Sequence, residues 1–140
     1  MAKVNMSTDL AVPAQTAWTM IGGFGALAKW HPAVAKCDES REGGATMRRL
    51  TLAGGGTILE RLEQKNDKER TYTYSIVEGP LPVADYTSTL RVREGKNAQS
   101  CVVEWSSDFE PKGASESEAV KVMQGVYAAG FENLKKMFGG

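Results

Sequence analysis

The chain has 140 residues, 41% of them hydrophobic and 24% charged, and its 17 Lys and Arg balance 17 Asp and Glu. That length suits one domain over residues 1–140, and the charge balance lacks the basic field a phosphate-rich partner requires, so nucleic acid is not an expected ligand. No run approaches the roughly 18–20 apolar residues of a membrane span, and the polar start does not read as a signal peptide, so a cytoplasmic protein is expected.

Residues 3–12 alternate, with Val4, Met6, Leu10 and Val12 on one face, which reads as a strand. Pro13 closes it and suits the first turn of a helix, and Ala14, Ala17, Trp18 and Ile21 follow at helical spacing. The glycines of Gly22-Gly23-Phe24-Gly25 break that helix; a second short helix is expected over about 26–30, with Pro32 as its stop.

From 34 to 110 the pattern is a meander of antiparallel strands. Turn chemistry punctuates it at Glu42-Gly43-Gly44, Ala53-Gly54-Gly55-Gly56, Asn66-Asp67, 78–84 and Gly95-Lys96-Asn97. Within one run Tyr72, Tyr74 and Ile76 share a face while Thr71, Thr73 and Ser75 share the other, as in a sheet covered on one side. The last element is a helix, with Ser115 or Ser117 as its cap and Glu116 and Glu118 near its positive end. Its stripe runs through Val120, Met123, Tyr127, Phe131, Leu134 and Phe138. At about 1.5 Å per residue it is about 35 Å long, enough to cover the whole sheet.

This order of elements, with particular words, resembles the START-like, birch-pollen-allergen-like superfamily (SRPBCC) in its polyketide cyclase/dehydrase branch. The words are Phe24-Gly25-Ala26-Leu27-Ala28-Lys29-Trp30-His31-Pro32, Glu60-Arg61-Leu62-Glu63 and Tyr74-Ser75-Ile76-Val77-Glu78-Gly79-Pro80-Leu81-Pro82-Val83. Tyr86, Trp105 and Gly130-Phe131-Glu132-Asn133-Leu134 complete them, so that the resemblance spans nearly the whole chain. It implies an α+β helix-grip fold: a seven-stranded antiparallel curved sheet around a long C-terminal helix, two short helices after strand 1, and a cavity between sheet and helix.

Plant abscisic acid receptors are similar at a greater distance. Alignment with them implies that Leu50, Leu52, Ile58, Glu60, Tyr72, Tyr74, Tyr86, Ser88 and Glu104 point inward. Their gate loop falls on 53–56 and their latch loop on 78–84, without the receptor motifs, and His31 stands at their ligand-binding lysine. Hormone sensing of that kind is not expected.

Charges on the inward face are the sharpest candidates. Arg48 shares parity with Leu50 and Leu52, and Glu60 with Ile58 and Leu62. An unpaired buried charge is costly, so Arg48, Glu60 and Glu104 either anchor the polar end of a ligand, form a structural Arg–Glu bridge, or lie exposed because the register differs. His31, beside Trp30 at the junction of short helices and sheet, is the only histidine. It could move protons with Glu60 in a cyclisation, or serve only as a hydrogen-bonding structural residue. Tyr72, Tyr74 and Tyr86 offer ring faces with polar tips to a ring-containing ligand, or simply fill the core.

Trp105, out of phase with Glu104, is expected on the other face of the sheet or under a loop. Met123 and Tyr127 bring the helix stripe to the cavity, and Gly130 would enlarge it by omitting a side chain, unless it serves close helix–sheet packing. Cys37 and Cys101, the only cysteines, read as small packing residues, and no metal or cofactor is expected. The leading expectation is binding of a hydrophobic, ring-containing small molecule or lipid by a monomer or homodimer. The alternatives are a polyketide cyclase/dehydrase-type enzyme using the same cavity, and an interaction protein whose cavity is collapsed.

Overall fold

In a computed structural model that describes residues 1–139, the alternating start forms strand β1, Ala2–Leu10. Ala2, Val4, Thr8 and Leu10 are buried while Lys3, Asn5, Ser7 and Asp9 are exposed. Helix α1, Ala14–Ile21, follows Pro13 and buries Ala14, Ala17, Trp18 and Ile21. The next helix is a 3-10 helix over Phe24–Lys29, beginning earlier than the glycines suggest. Its two buried residues, Phe24 and Leu27, lie three apart, which matches the three residues per turn of that tighter helix.

Six strands then form the meander: β2 (Val34–Glu42), β3 (Ala45–Leu52), β4 (Thr57–Asn66), β5 (Thr71–Glu78), β6 (Val83–Glu94) and β7 (Cys101–Pro111). With β1 they make one antiparallel seven-stranded sheet in the order β1-β7-β6-β5-β4-β3-β2. Gly43 and Gly44, at φ of 57° and 84°, supply the left-handed pair that a tight hairpin between β2 and β3 requires. Register shifts at Leu59/Glu60, Leu62/Gln64 and Ala84/Thr87 interrupt the ladders, and such irregularities bend a sheet.

Helix α2, Glu116–Phe138, starts at a capping box in which Ser115 accepts from the Glu118 amide and Glu118 accepts from that of Ser115. It buries Ala119, Met123, Tyr127, Gly130, Phe131 and Leu134 against the sheet. Full burial of a side chain such as Met123 or Leu134 stabilises the fold by about 1.5–3 kcal/mol.

Two sequence expectations are corrected here. Strand β7 buries Cys101, Val103, Trp105, Ser107 and Phe109, so Trp105 faces inward and Glu104 outward. Glu104 pairs there with Arg93 at 3.1 Å, one third exposed. The apolar alternation of β7 itself dictates this parity, because reversing it would bury Glu104 and Asp108 and expose Val103 and Phe109. Gly130 does not enlarge a cavity: a Cβ there would lie 2.9 Å from His31 Cδ2, 3.0 Å from the Trp30 ring and 3.2 Å from the Trp105 ring. It is the close-approach point of α2.

Candidate functional site

Between the concave face of the sheet and the middle of α2 lies a cavity of about 310 Å³. Its floor and walls come from β3, β4, β5 and β6 through Leu50, Leu52, Ile58, Glu60, Tyr74, Ile76 and Tyr86. Trp105 of β7, Met123 and Val126 of α2, and Leu27, His31 and Val34 complete them. The mouth is formed by Ala33, Gly54, Gly55 and Leu81. The two loops there approach each other closely: a Cβ on Gly56 would lie 3.8 Å from Pro80 Cγ. A larger, somewhat more open groove of about 860 Å³ runs along the end of β5, the loop after it and the start of β6, and shares Ile76, Leu81 and Tyr86 with the cavity.

Strand pairing sets Arg48 of β3 directly opposite Glu60 of β4. Arg48 Nε donates to Glu60 Oε1 at 2.7 Å, and its Nη1 donates to the Phe24 carbonyl at 2.9 Å and to Tyr72 Oη at 3.3 Å. The guanidinium is fully buried, with its carbon 4.1 Å from the Phe24 ring centre and 4.8 Å from that of Tyr74. Such aromatic faces favour a cation with little water around it. Arg48 is therefore held behind the wall, while Glu60 lines the cavity itself. Burial pushes the Glu60 carboxyl above the usual carboxylate range, and the Arg48 charge and hydrogen bond pull against that shift. No protein group hydrogen-bonds Glu60 Oε2 among the described residues.

His31 is buried and both ring nitrogens are engaged. Nε2 lies 2.7 Å from the Val126 carbonyl and Nδ1 accepts the Ala33 amide at 3.2 Å. A carbonyl can only accept, so the proton sits on Nε2 and the ring is neutral. Burial lowers its pKa, with the hydrogen bond to Val126 opposing and the Arg48 charge adding to the effect. His31 thus ties the end of the 3-10 helix to α2.

Beyond Tyr74 and Tyr86 the hydroxyls form a chain. Tyr74 Oη lies 3.4 Å from Tyr86 Oη, Tyr86 is hydrogen-bonded to Tyr127, and Tyr127 Oη lies 3.4 Å from Ser88 Oγ. Ser88 donates to the Ser106 carbonyl at 2.9 Å, and Trp105 Nε1 points at Tyr74 Oη (3.1 Å) and Ser88 Oγ (3.0 Å). The Trp105 and Tyr127 rings stack, 4.3 Å between centres. Burial, foremost among the causes, raises Tyr74 and Tyr86 well above the usual phenol range, so both remain protonated.

Of the residues singled out from sequence, the fold brings His31, Leu50, Leu52, Ile58, Glu60, Tyr74, Tyr86 and Met123 to the cavity wall. Trp30, Arg48, Tyr72, Ser88, Tyr127 and Gly130 are buried behind that wall. Glu104 lies outside. Sequence reasoning missed Leu27, Val34, Ile76, Trp105 and Val126 as lining residues. Ile76 could have been found from its parity with Tyr74, and Trp105 from that of Val103. Val126 follows Met123 by three residues on the helix, a spacing that puts both on nearby positions of one face. No cluster of three or more His, Cys, Asp or Glu capable of holding a metal occurs among the described residues. No helix among them is long and apolar enough to cross a membrane.

The model of the family described as polyketide cyclase / dehydrase and lipid transport matches residues 1–139. Among solved structures, the protein XoxI from Bacillus cereus is 40% identical and superposes with a TM-score of 0.94, covering 99% of this chain and 96% of its own. A putative uncharacterized protein from Bacillus thuringiensis is also 40% identical, with a TM-score of 0.93 and 98% of each chain covered. The Zhui aromatase/cyclase from Streptomyces is 20% identical with a TM-score of 0.75, over 94% of this chain and 90% of its own, a likeness of fold alone. No curated protein matches.

Proposed function

The chain belongs to the polyketide cyclase / dehydrase and lipid transport family, and from that premise we propose that it binds a hydrophobic, ring-containing small molecule in the cavity beneath α2. The observation that carries this reading is a cavity of about 310 Å³ walled mostly by aliphatic and aromatic side chains, with a mouth between two loops. Ligand pockets commonly measure about 300–1,000 Å³ and bury most of an apolar guest while a few polar groups orient it. Glu60, Tyr74 and Tyr86 are those groups here. Binding without turnover is favoured because both nitrogens of His31 are already engaged in holding two elements together. Such an imidazole must give up a structural hydrogen bond before it can take a proton from a guest.

Native mass spectrometry of the protein purified from its own cells tests this. A co-purifying apolar molecule, displaced by synthetic aromatics that also raise the melting temperature, is the expected result. Absence of any adduct, together with no thermal shift across a broad set of aromatic and lipid-like compounds, would sink it.

A second reading, a cyclase or dehydrase, draws support from the free oxygen of Glu60 at the cavity wall and from burial raising its carboxyl. A carboxylate so placed can take or give a proton at a bound carbon chain. That reading requires Glu60→Gln to abolish turnover of a bound polyketide-like substrate while leaving its affinity within a few-fold.

A further inference from the structure

The hydrogen bonds around the cavity have a direction, and that direction selects the guest. Ser88 gives its only hydroxyl proton to the Ser106 carbonyl, so in the contact between Tyr127 and Ser88 the tyrosine donates. Tyr127 then accepts from Tyr86, and Tyr86 in turn accepts from Tyr74. Trp105 Nε1 is directed at Tyr74 and Ser88, and His31 Nε2 at the Val126 carbonyl. The protons of the lining side chains His31, Tyr74, Tyr86 and Trp105 are thus directed at protein acceptors. The unpartnered donors Arg48 Nη2, Trp30 Nε1 and Ser107 Oγ are buried behind the wall, on residues that do not line the cavity.

Acceptors, by contrast, are left over. Among the described residues Arg48 has no carboxylate other than Glu60 within reach, and an enclosed guanidinium without a counter-charge is costly. Glu60 therefore stays a carboxylate. One of its oxygens serves Arg48, and the other has no hydrogen bond from the protein. Among the described residues no lysine or arginine lines the cavity, and the Arg48 charge is already neutralised behind the wall. A guest carboxylate would meet a fixed anion with no free cation to balance it.

Resting on the binding reading above, we propose that the cavity selects uncharged apolar molecules bearing a hydrogen-bond donor, a phenol or alcohol hydroxyl, which is received by Glu60 Oε2. Carboxylates such as fatty acids are excluded by charge. Molecules with only ether or ketone oxygens bind through ring burial alone, because an acceptor must break the Tyr74-to-Tyr86 contact to find a proton.

Four compounds of one ring system test this on the unmodified protein: naphthalene, 2-naphthol, 2-methoxynaphthalene and 2-naphthoate, followed by thermal shift and calorimetry at neutral pH. A hydrogen bond to a charged group predicts 2-naphthol binding about tenfold or more tighter than naphthalene or 2-methoxynaphthalene, with 2-naphthoate weakest. Equal or tighter binding of 2-methoxynaphthalene or 2-naphthoate overturns the donor rule and leaves the cavity reading standing. No binding by any of the four overturns both.

The double variant Arg48→Met with Glu60→Leu replaces the ion pair by apolar side chains, an exchange that buried pairs often tolerate. Its preference for 2-naphthol over 2-methoxynaphthalene is expected to fall to about onefold, since no charged acceptor is left to favour the hydroxyl. Retention of the full preference would show that some other group receives the hydroxyl, and would overturn the assignment to Glu60.

Discussion

Arg48 and Glu60 face each other across adjacent strands with Nε and Oε1 2.7 Å apart, and only the carboxylate reaches the cavity. One buried ion pair thereby separates a cation held behind the wall from an anion that faces the cavity. Its integrity governs both stability and the chemistry offered to a guest.

Removing one member should be far worse than removing both. Arg48→Ala leaves Glu60 buried without its partner and is expected to destabilise by about 3–5 kcal/mol. Arg48→Met with Glu60→Leu should recover most of that loss. Urea unfolding of the wild type and the two variants measures it, and a double variant less stable than Arg48→Ala would contradict the account.

The two glycines of α2 should respond in opposite ways. Gly125→Ala meets open space and should stabilise by about 0.5–1 kcal/mol through helix propensity. Gly130→Val must push into Trp30, His31 and Trp105 and should cost about 1–3 kcal/mol by overpacking. Thermal melts of both variants decide the matter.

His31 should make stability depend on pH near neutrality. Burial depresses its folded pKa below the 6.5 of an unhindered imidazole. Between those two values the unfolded chain binds more protons than the folded one. Stability from this group is therefore complete above about pH 6.5 and declines as pH falls toward the folded value. His31→Phe should flatten that part of the profile, measured by denaturant unfolding from pH 8 to 5.5. An unchanged slope would mean that the imidazole already titrates normally.

Ala33 is exposed and lies at the mouth of the cavity. Ala33→Trp should obstruct the opening while its backbone hydrogen bonds to His31 and Ala53 persist. Surface changes of this kind usually alter stability by under about 0.5 kcal/mol. Affinity for naphthalene is expected to fall about tenfold or more if the loops are the way in, a change of about 1.4 kcal/mol that calorimetry resolves.

The architecture was legible because it follows from local chemistry. Alternation along β1 and β5, glycines at the hairpins, and the three-and-four spacing of Met123, Tyr127, Phe131 and Leu134 each act over a few residues. The opposition of Arg48 and Glu60 was half legible, as two charges of inward parity on neighbouring strands. For Glu104 a distant alignment displaced the strand's own pattern, in which Val103, Trp105 and Phe109 share the buried side.

Sequence by itself determined the elements, their order and which face of each is apolar, because hydrophobic periodicity is a property of the chain alone. Tertiary structure decided which polar atoms remain free. Whether the protons of Ser88, Tyr127, Tyr86 and Tyr74 point toward or away from the cavity depends on contacts among β5, β6, β7 and α2. Those contacts fix a direction only once register and helix placement bring hydroxyls far apart in the chain within hydrogen-bond reach.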